Sequence, residues 1–256
     1  MLLNAYQVDS FGFIVDMRSA LRKRYRDYAD RLSLDFNTEC RTDGFLPAPE
    51  NSQRHFFNRY VQSSIARERT AVFFLDAFRY ELGVELSKRL KNDGLKVKLE
   101  GIFAELPTTT PVGMNALLPI ERSNYLEPKW KSDKVDICGF GISDSQVTIP
   151  STRKGFLKKT VTNDIEWLSI DDVLEMDTTA TKKLAKVPLL IVHSLEIDTT
   201  GENAMIFQGI DYFETLINRI MSALYRIRKA GFNAFIFTAD HGFLLADETV
   251  QSGTVG

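Results

Sequence analysis

Cysteine is scarce in this chain: two in 256 residues, Cys40 and Cys138, far apart and in no metal-ligand spacing. That excludes a disulfide framework and fits a reducing compartment. Charge of one sign is lacking too. The formal net charge is -2, so no global basic field recruits nucleic acid, although a local basic patch stays compatible. No apolar run approaches the roughly 20 residues needed to span a bilayer. The opening Met1-Leu2-Leu3-Asn4-Ala5-Tyr6 has neither the basic start nor the apolar core of a signal peptide. The expectation is a cytoplasmic protein with no membrane partner.

What is present suffices for a core. With 44% hydrophobic residues, 18 of the 256 being Phe, the chain can build one large α/β domain or two small ones. Residues 16–33 place Met17, Leu21, Tyr25, Tyr28 and Leu32 at helical spacing. Arg18, Arg22, Lys23, Arg24 and Arg26 lie between them, a solvated basic face or a phosphate-touching one. Residues 38–52 read as a loop, and Phe56, Phe57, Tyr60, Val61 and Ile65 as a second helix. Residues 1–69 are expected to be a helical lead-in or the end of an upstream domain.

The main domain is expected over 70–256. Ala71-Val72-Phe73-Phe74-Leu75 predicts a strand, 80–91 a helix closed at Asp93-Gly94, and the alternation over 95–103 a second strand, completing a βαβ unit. A short helix is predicted over 112–118. From about 119 to 162 regular alternation fails, which predicts an insertion or cap over a site at the sheet's C-terminal edge. Residues 164–176 read as helical, 187–192 as a strand, 209–230 as an amphipathic helix and 232–237 as a strand. Residues 251–256 do not read as a domain ending, so a fragment of a longer protein is expected.

Three of these strands deliver acids. The 232–237 run leads to Thr238-Ala239-Asp240-His241-Gly242, the 71–75 run to Asp76, and the 187–192 run through His193 toward Asp198. Carboxylates and an imidazole at the mouth of a sheet are the donors that Mn²⁺ and Zn²⁺ accept. Each has a plainer reading. Asp76 also suits a helix N-cap and Arg79, three residues on, a surface ion pair rather than a phosphate contact. Thr108-Thr109-Thr110, between two prolines, offers either a hydroxyl nucleophile or ordinary turn residues. Glu196, Asp198 and Glu202 form either a ligand loop or a solvated acidic one, and His193 and His55 suit structural roles.

Together these residues carry a resemblance. The Asp-His-Gly motif after a strand, Asp76 after an earlier strand, the Thr-rich loop and Asp198-x-x-Gly-Glu202 are similar to the alkaline phosphatase superfamily. More narrowly, Leu75-Asp76-Ala77-Phe78-Arg79-Tyr80-Glu81, Leu106-Pro107-Thr108-Thr109-Thr110-Pro111-Val112-Gly113-Met114 and Ala116-Leu117-Leu118-Pro119 resemble the PglZ domain of bacteriophage-exclusion (BREX) systems. The resemblance implies an α/β three-layer sandwich with a mostly parallel sheet. It implies two divalent metal ions, Zn or Mn, with Asp76, Asp240 and His241 on one and Asp198 with Glu202 on the other. Thr110 would be the nucleophile of a phosphatase or phosphodiesterase, and Arg79 would meet the phosphate. Many relatives have His where this chain has Glu202, so the other expectation is a degenerate phosphate-binding or scaffold domain. A nucleotide or nucleic-acid phosphoester is the implied substrate. Other defence proteins, such as a DNA methyltransferase, are the implied partners.

Overall fold

A computed structural model describes residues 12–45, 49–120, 126–131, 134–140, 150–194 and 209–243. Asp198, Glu202 and the tail from 244 onward lie outside the described residues. The chain divides into two compact units, one of Met1–Pro49 with Phe243–Gly256 and one of Glu50–Gly242. In the first, α1 (Gly12–Asp43) runs ten residues past the predicted end. Gly44 at φ 83° follows it, and Phe45 meets Phe36 edge-on with ring centroids 6.3 Å apart.

The second unit opens with single turns, Pro49–Asn51 and Gln53–His55, then a π-helical turn Phe57–Gln62 that runs into α2 (Ser63–Ile65). Phe56, Phe57 and Val61 from these turns are buried with Val72 and Phe74 of the sheet, so they belong to the α/β core. There follow β1 (Thr70–Leu75), α3 (Tyr80–Asn92), α4 (Thr110–Ala116), β2 (Leu126–Lys131), β3 (Lys134–Phe140) and α5 (Pro150–Thr160). The chain continues through β4 (Ile165–Ser169), α6 (Ile170–Glu175), α7 (Thr178–Leu184), β5 (Leu189–Ser194), α8 (Gly209–Lys229) and β6 (Ala234–Ala239).

The main sheet has the order β4-β5-β1-β6 with every pairing parallel. A parallel sheet is covered on both faces, which is why β1 reads as an unbroken apolar run and all six of its residues are buried. On one face Val72, Phe74, Ile191 and Trp167 pack with Phe56, Val112, Met114 and Leu157. Leu86 and Leu90 of α3, Val173 of α6 and the stripe Leu216, Ile217, Ile220, Leu224 and Ile227 of α8 are buried as well. α8 packs against both α3 and α6, so the sheet has helices on either side, as the three-layer expectation requires.

Two expectations are corrected. Residues 95–103 are not a second strand; apart from a single bridge between Phe103 and Ser52 they pair with nothing among the described residues. Both edges of β1 are taken by β5 and β6. A segment that alternates Lys96, Lys98 and Glu100 with apolar residues also cannot enter a sheet buried on both faces. Residues 164–176 are not one helix but β4 followed by α6. Ile165, Trp167 and Leu168 suit a strand. Ser169 then starts α6 through a capping box with Asp172. The 119–162 region holds an antiparallel pair, β2–β3, and α5.

Candidate metal and phosphoester site

The register of the sheet assembles the site. Leu75 at the end of β1 lies beside Ser194 of β5 and Ala239 of β6, so the residues that follow, Asp76 and Asp240, emerge level with each other. Both are buried, Asp240 completely. The chain turns sharply after β1. Ala77 adopts φ 53°, a left-handed conformation uncommon for a residue with a Cβ, and its amide donates to Asp240 Oδ1 at 3.0 Å. His241 donates its own amide to the same oxygen at 2.8 Å. One oxygen of Asp240 is thus held by two backbone donors. The other, Oδ2, is buried without a hydrogen-bond partner among the described residues.

That orphan oxygen faces two more acceptors. His241 Nε2 lies 3.3 Å from Asp240 Oδ2 and 3.7 Å from Asp76 Oδ1. His241 Nδ1 is 3.0 Å from the Gly242 carbonyl, which can only accept, so Nδ1 carries a proton. In the neutral tautomer this leaves a lone pair on Nε2, aimed at the two carboxylates. Asp76, Asp240 and His241 offer ligand atoms that all lie within 4.8 Å of one another. Buried acceptors that converge in this way repel one another unless a cation lies between them, and two oxygens plus an imidazole nitrogen suit a divalent Mn²⁺ or Zn²⁺.

Thr110 completes the constellation. It is the first residue of α4, which starts two residues before the helix predicted over 112–118. Its Oγ1 lies 3.3 Å from Asp76 Oδ1 and 3.1 Å from His241 Nε2. α4 can approach this closely because residue 113 is glycine. A Cβ there would sit 2.5 Å from the Asp240 carbonyl oxygen. Asp76 does not cap α3; the residue before that helix is Arg79, without a side-chain cap bond. Arg79 pairs with Glu81, and its Cγ lies against Gly242 at the rim. A cleft of about 780 Å³ reaches Asp240, His241, Gly242 and Arg79 from the outer side of β6, but neither Thr110 nor Asp76 lines it.

Two neighbours escaped the sequence reading. Gln53, almost fully buried, donates its amide hydrogens to the carbonyls of Ala239 at 3.0 Å and Asp240 at 2.7 Å, and its oxygen accepts from the Glu105 amide. Arg153 of α5 is buried, and its Nε donates to Asn115 Oδ1 of α4 at 3.2 Å. Burial pushes its guanidinium down to about 10, against the pull of Asp240 and Asp76. Neither residue sits in a motif; only the fold brings them near. His193 Nδ1 lies 2.9 Å from both Trp167 Nε1 and the Leu168 carbonyl oxygen, and burial lowers the His193 pKa, as for a core histidine. His55 lies in the turn Gln53–His55 and is not one of the clustered ligand residues.

Comparison with known proteins agrees with this geometry. Residues 56–254 match the family described as the BREX system PglZ alkaline phosphatase-like domain. The alkaline phosphatase-like protein PglZ of Bacillus cereus (strain H3081.97) is 25% identical over 210 residues, 78% of this chain and 23% of that protein. The alkaline phosphatase-like protein BrxZ of Escherichia coli O9:H4 (strain HS) is 26% identical over 211 residues, with the same shares covered. The chain therefore spans about a quarter of the length of these curated relatives. With most of its length matched by the family and its acids at the C-terminal edge of a parallel sheet, the chain belongs to the PglZ family of alkaline phosphatase-like domains from BREX systems.

Proposed function

We propose that this chain is a metal-dependent phosphoester hydrolase domain in which Thr110 is the nucleophile. One observation carries the reading: the Thr110 hydroxyl lies within 3.3 Å of Asp76 and His241, beside an Asp240 oxygen that has no proton to accept. Asp76, Asp240 and His241 would hold one divalent cation, Zn or Mn. Asp198 and Glu202 would belong to a second. Such ions supply Lewis acidity, lowering the pKa of a nearby hydroxyl and neutralising charge on the phosphoryl oxygens.

The chain's own residues do the rest. Asp76 and His241 orient Thr110 Oγ1. The hydroxyl gives its proton to Asp76, to which it donates, Oγ1 bonds to phosphorus, the ester P–O bond breaks in line and the leaving oxygen takes up that proton. Water then replaces Thr110 at phosphorus, and the threonine regains its hydroxyl. Arg79, at the rim, would exchange Glu81 for a phosphate oxygen. Arg153 lays a fixed positive charge behind the two carboxylates. The hairpin β2–β3 and α5, within the predicted 119–162 cap, would select the substrate, a nucleotide or nucleic-acid phosphoester. Residues 70–256 would form the catalytic domain together with the turns around Phe56, Phe57 and Val61 that share its core, and the residues before those turns would be its lead-in. No helix among the described residues is long and apolar enough to cross a membrane. A cytoplasmic place beside other defence proteins, such as a DNA methyltransferase, completes the proposal.

The test is turnover of bis-p-nitrophenyl phosphate and p-nitrophenyl phosphate with Mn²⁺ or Zn²⁺, for this chain and for its longer natural protein. Thr110→Ala is expected to lower kcat by several orders of magnitude, as loss of a nucleophile does, while leaving metal content intact. Metal binding without turnover in either protein would favour the phosphate-binding scaffold, a reading that Glu202 in place of His supports. Absence of both metal and turnover would sink the site altogether.

A further inference from the structure

The helix α1 carries an apolar seam that the phosphoester chemistry does not use. Met17, Leu21, Tyr25, Tyr28, Leu32 and Phe36 are each between 36% and 65% exposed. At about 100° per residue they fall within a stripe roughly 100° wide. The core of the stripe, with its flanking charges, reads Arg18, Leu21, Tyr25, Tyr28, Leu32 and Asp35, in steps of three and four that repeat every 3.5 residues. The apolar residues themselves, Met17, Leu21, Tyr25, Tyr28, Leu32 and Phe36, advance by four, four, three, four and four and so keep to one face of α1.

The charges along α1 are segregated. Residues 16–26 hold five basic side chains against one acidic, whereas 27–43 hold five acidic against two basic. Two such helices side by side in the same direction would set like charge on like. Turned end for end, they set the basic half of each against the acidic half of the other. The seam is also symmetric about a point between Arg26 and Asp27. In that register Leu21 meets Leu32 of a second copy, and Tyr25 meets its Tyr28. Arg18 meets its Asp35 at both ends.

We propose that α1 is a self-association surface, and that two copies of this chain pair through it as antiparallel helices. The seam from Met17 to Phe36 is about 30 Å long at 1.5 Å per residue. Twelve large apolar side chains, offering on the order of 100 Å² apiece, reach the roughly 1,000 Å² a stable interface requires. Charge segregation and the register symmetry each select a second copy, antiparallel, as the occupant.

Sedimentation equilibrium of the whole chain over a wide concentration range reads this directly. The wild type is expected to form a dimer, and Leu21→Lys with Leu32→Lys a monomer. Asp35→Arg alone should weaken association about tenfold or more, and adding Arg18→Asp should restore most of it, because the exchanged charges face each other again. Leu21, Leu32 and Asp35 are on the surface of α1 and Arg18 is half-buried with its Nε out of solvent, and an unchanged thermal midpoint for each variant shows that folding is not what has moved. A wild type that stays monomeric means the seam is covered by something other than a second copy and overturns the proposal. So does a dimer that the double charge exchange fails to rescue, because a parallel pair sets Arg18 against Arg18.

Discussion

The amide of Gln53 holds the carbonyls of Ala239 and Asp240 from behind while its oxygen accepts from the Glu105 amide, so a single buried side chain fixes the end of β6 where Asp240 leaves it. Polar groups in so dry a place need partners, and here they have them. His193 is a second residue whose surroundings set its chemistry. Burial holds its pKa below the ordinary 6.5. Between that lowered value and 6.5 the unfolded chain binds a proton that the folded chain does not, so stability rises with pH across the window. The contribution is fully present above about 6.5 and is lost as pH falls through the lowered folded value. Urea denaturation at pH 7.5 and pH 5.5 should show this loss, and His193→Leu should flatten it. An equal acid sensitivity in that variant would place the titrating group elsewhere.

At the scale of elements, α4 is seated by the absence of a side chain. Gly113→Ala would put a methyl 2.5 Å from the Asp240 carbonyl, and overpacking against backbone costs about 1–3 kcal/mol. The helix must retreat, taking Thr110 with it. Both a lower thermal midpoint and weaker Mn²⁺ binding by calorimetry are expected. Gly155→Ala in α5, where nothing lies within 4 Å of the added atom, is the matched control and should be neutral or slightly stabilising. If both variants behave alike, close seating of α4 is not what organises the site. The elements also show what sequence could and could not tell. β1, β6 and α8 were legible because each has one strong pattern: an unbroken apolar run for the doubly covered β1, a mostly apolar run for the half-buried edge strand β6, a 3.6-residue stripe for the helix. The 95–103 segment misled because its alternation is real, yet the seat beside β1 was already occupied by β5 and β6. β4 was missed because five residues of strand run into a capped helix without a break.

For the whole molecule, the proposed metal site at Asp76, Asp240 and His241 would make folding and metal binding one equilibrium. A cation that binds only the folded state at 100 times its dissociation constant adds about 2.7 kcal/mol. Thermal unfolding should therefore shift upward with Mn²⁺. Asp240→Asn is expected to abolish the shift. It should also raise the metal-free midpoint, because an amide NH₂ in place of the orphan Oδ2 donates to the acceptors it faces. A variant that still responds to Mn²⁺ would show that the ion binds elsewhere. Stability given up for a site is the common condition of functional clusters.

The sequence by itself determined where the acids emerge. β1, buried on both faces, must be apolar throughout, so Asp76 can appear only after its last residue; Asp240 follows the largely apolar run of the half-buried β6, and the Asp-His-Gly and Thr-rich motifs named the candidate donors. Tertiary structure alone decided which of those donors meet. Asp76 and Asp240 are 164 positions apart and become neighbours only because β1 and β6 pair in parallel and end level. Arg153 and Gln53 gain their roles only when packing removes water around them, since an arginine or glutamine in solvent pays nothing for lacking a partner and a buried one must find it.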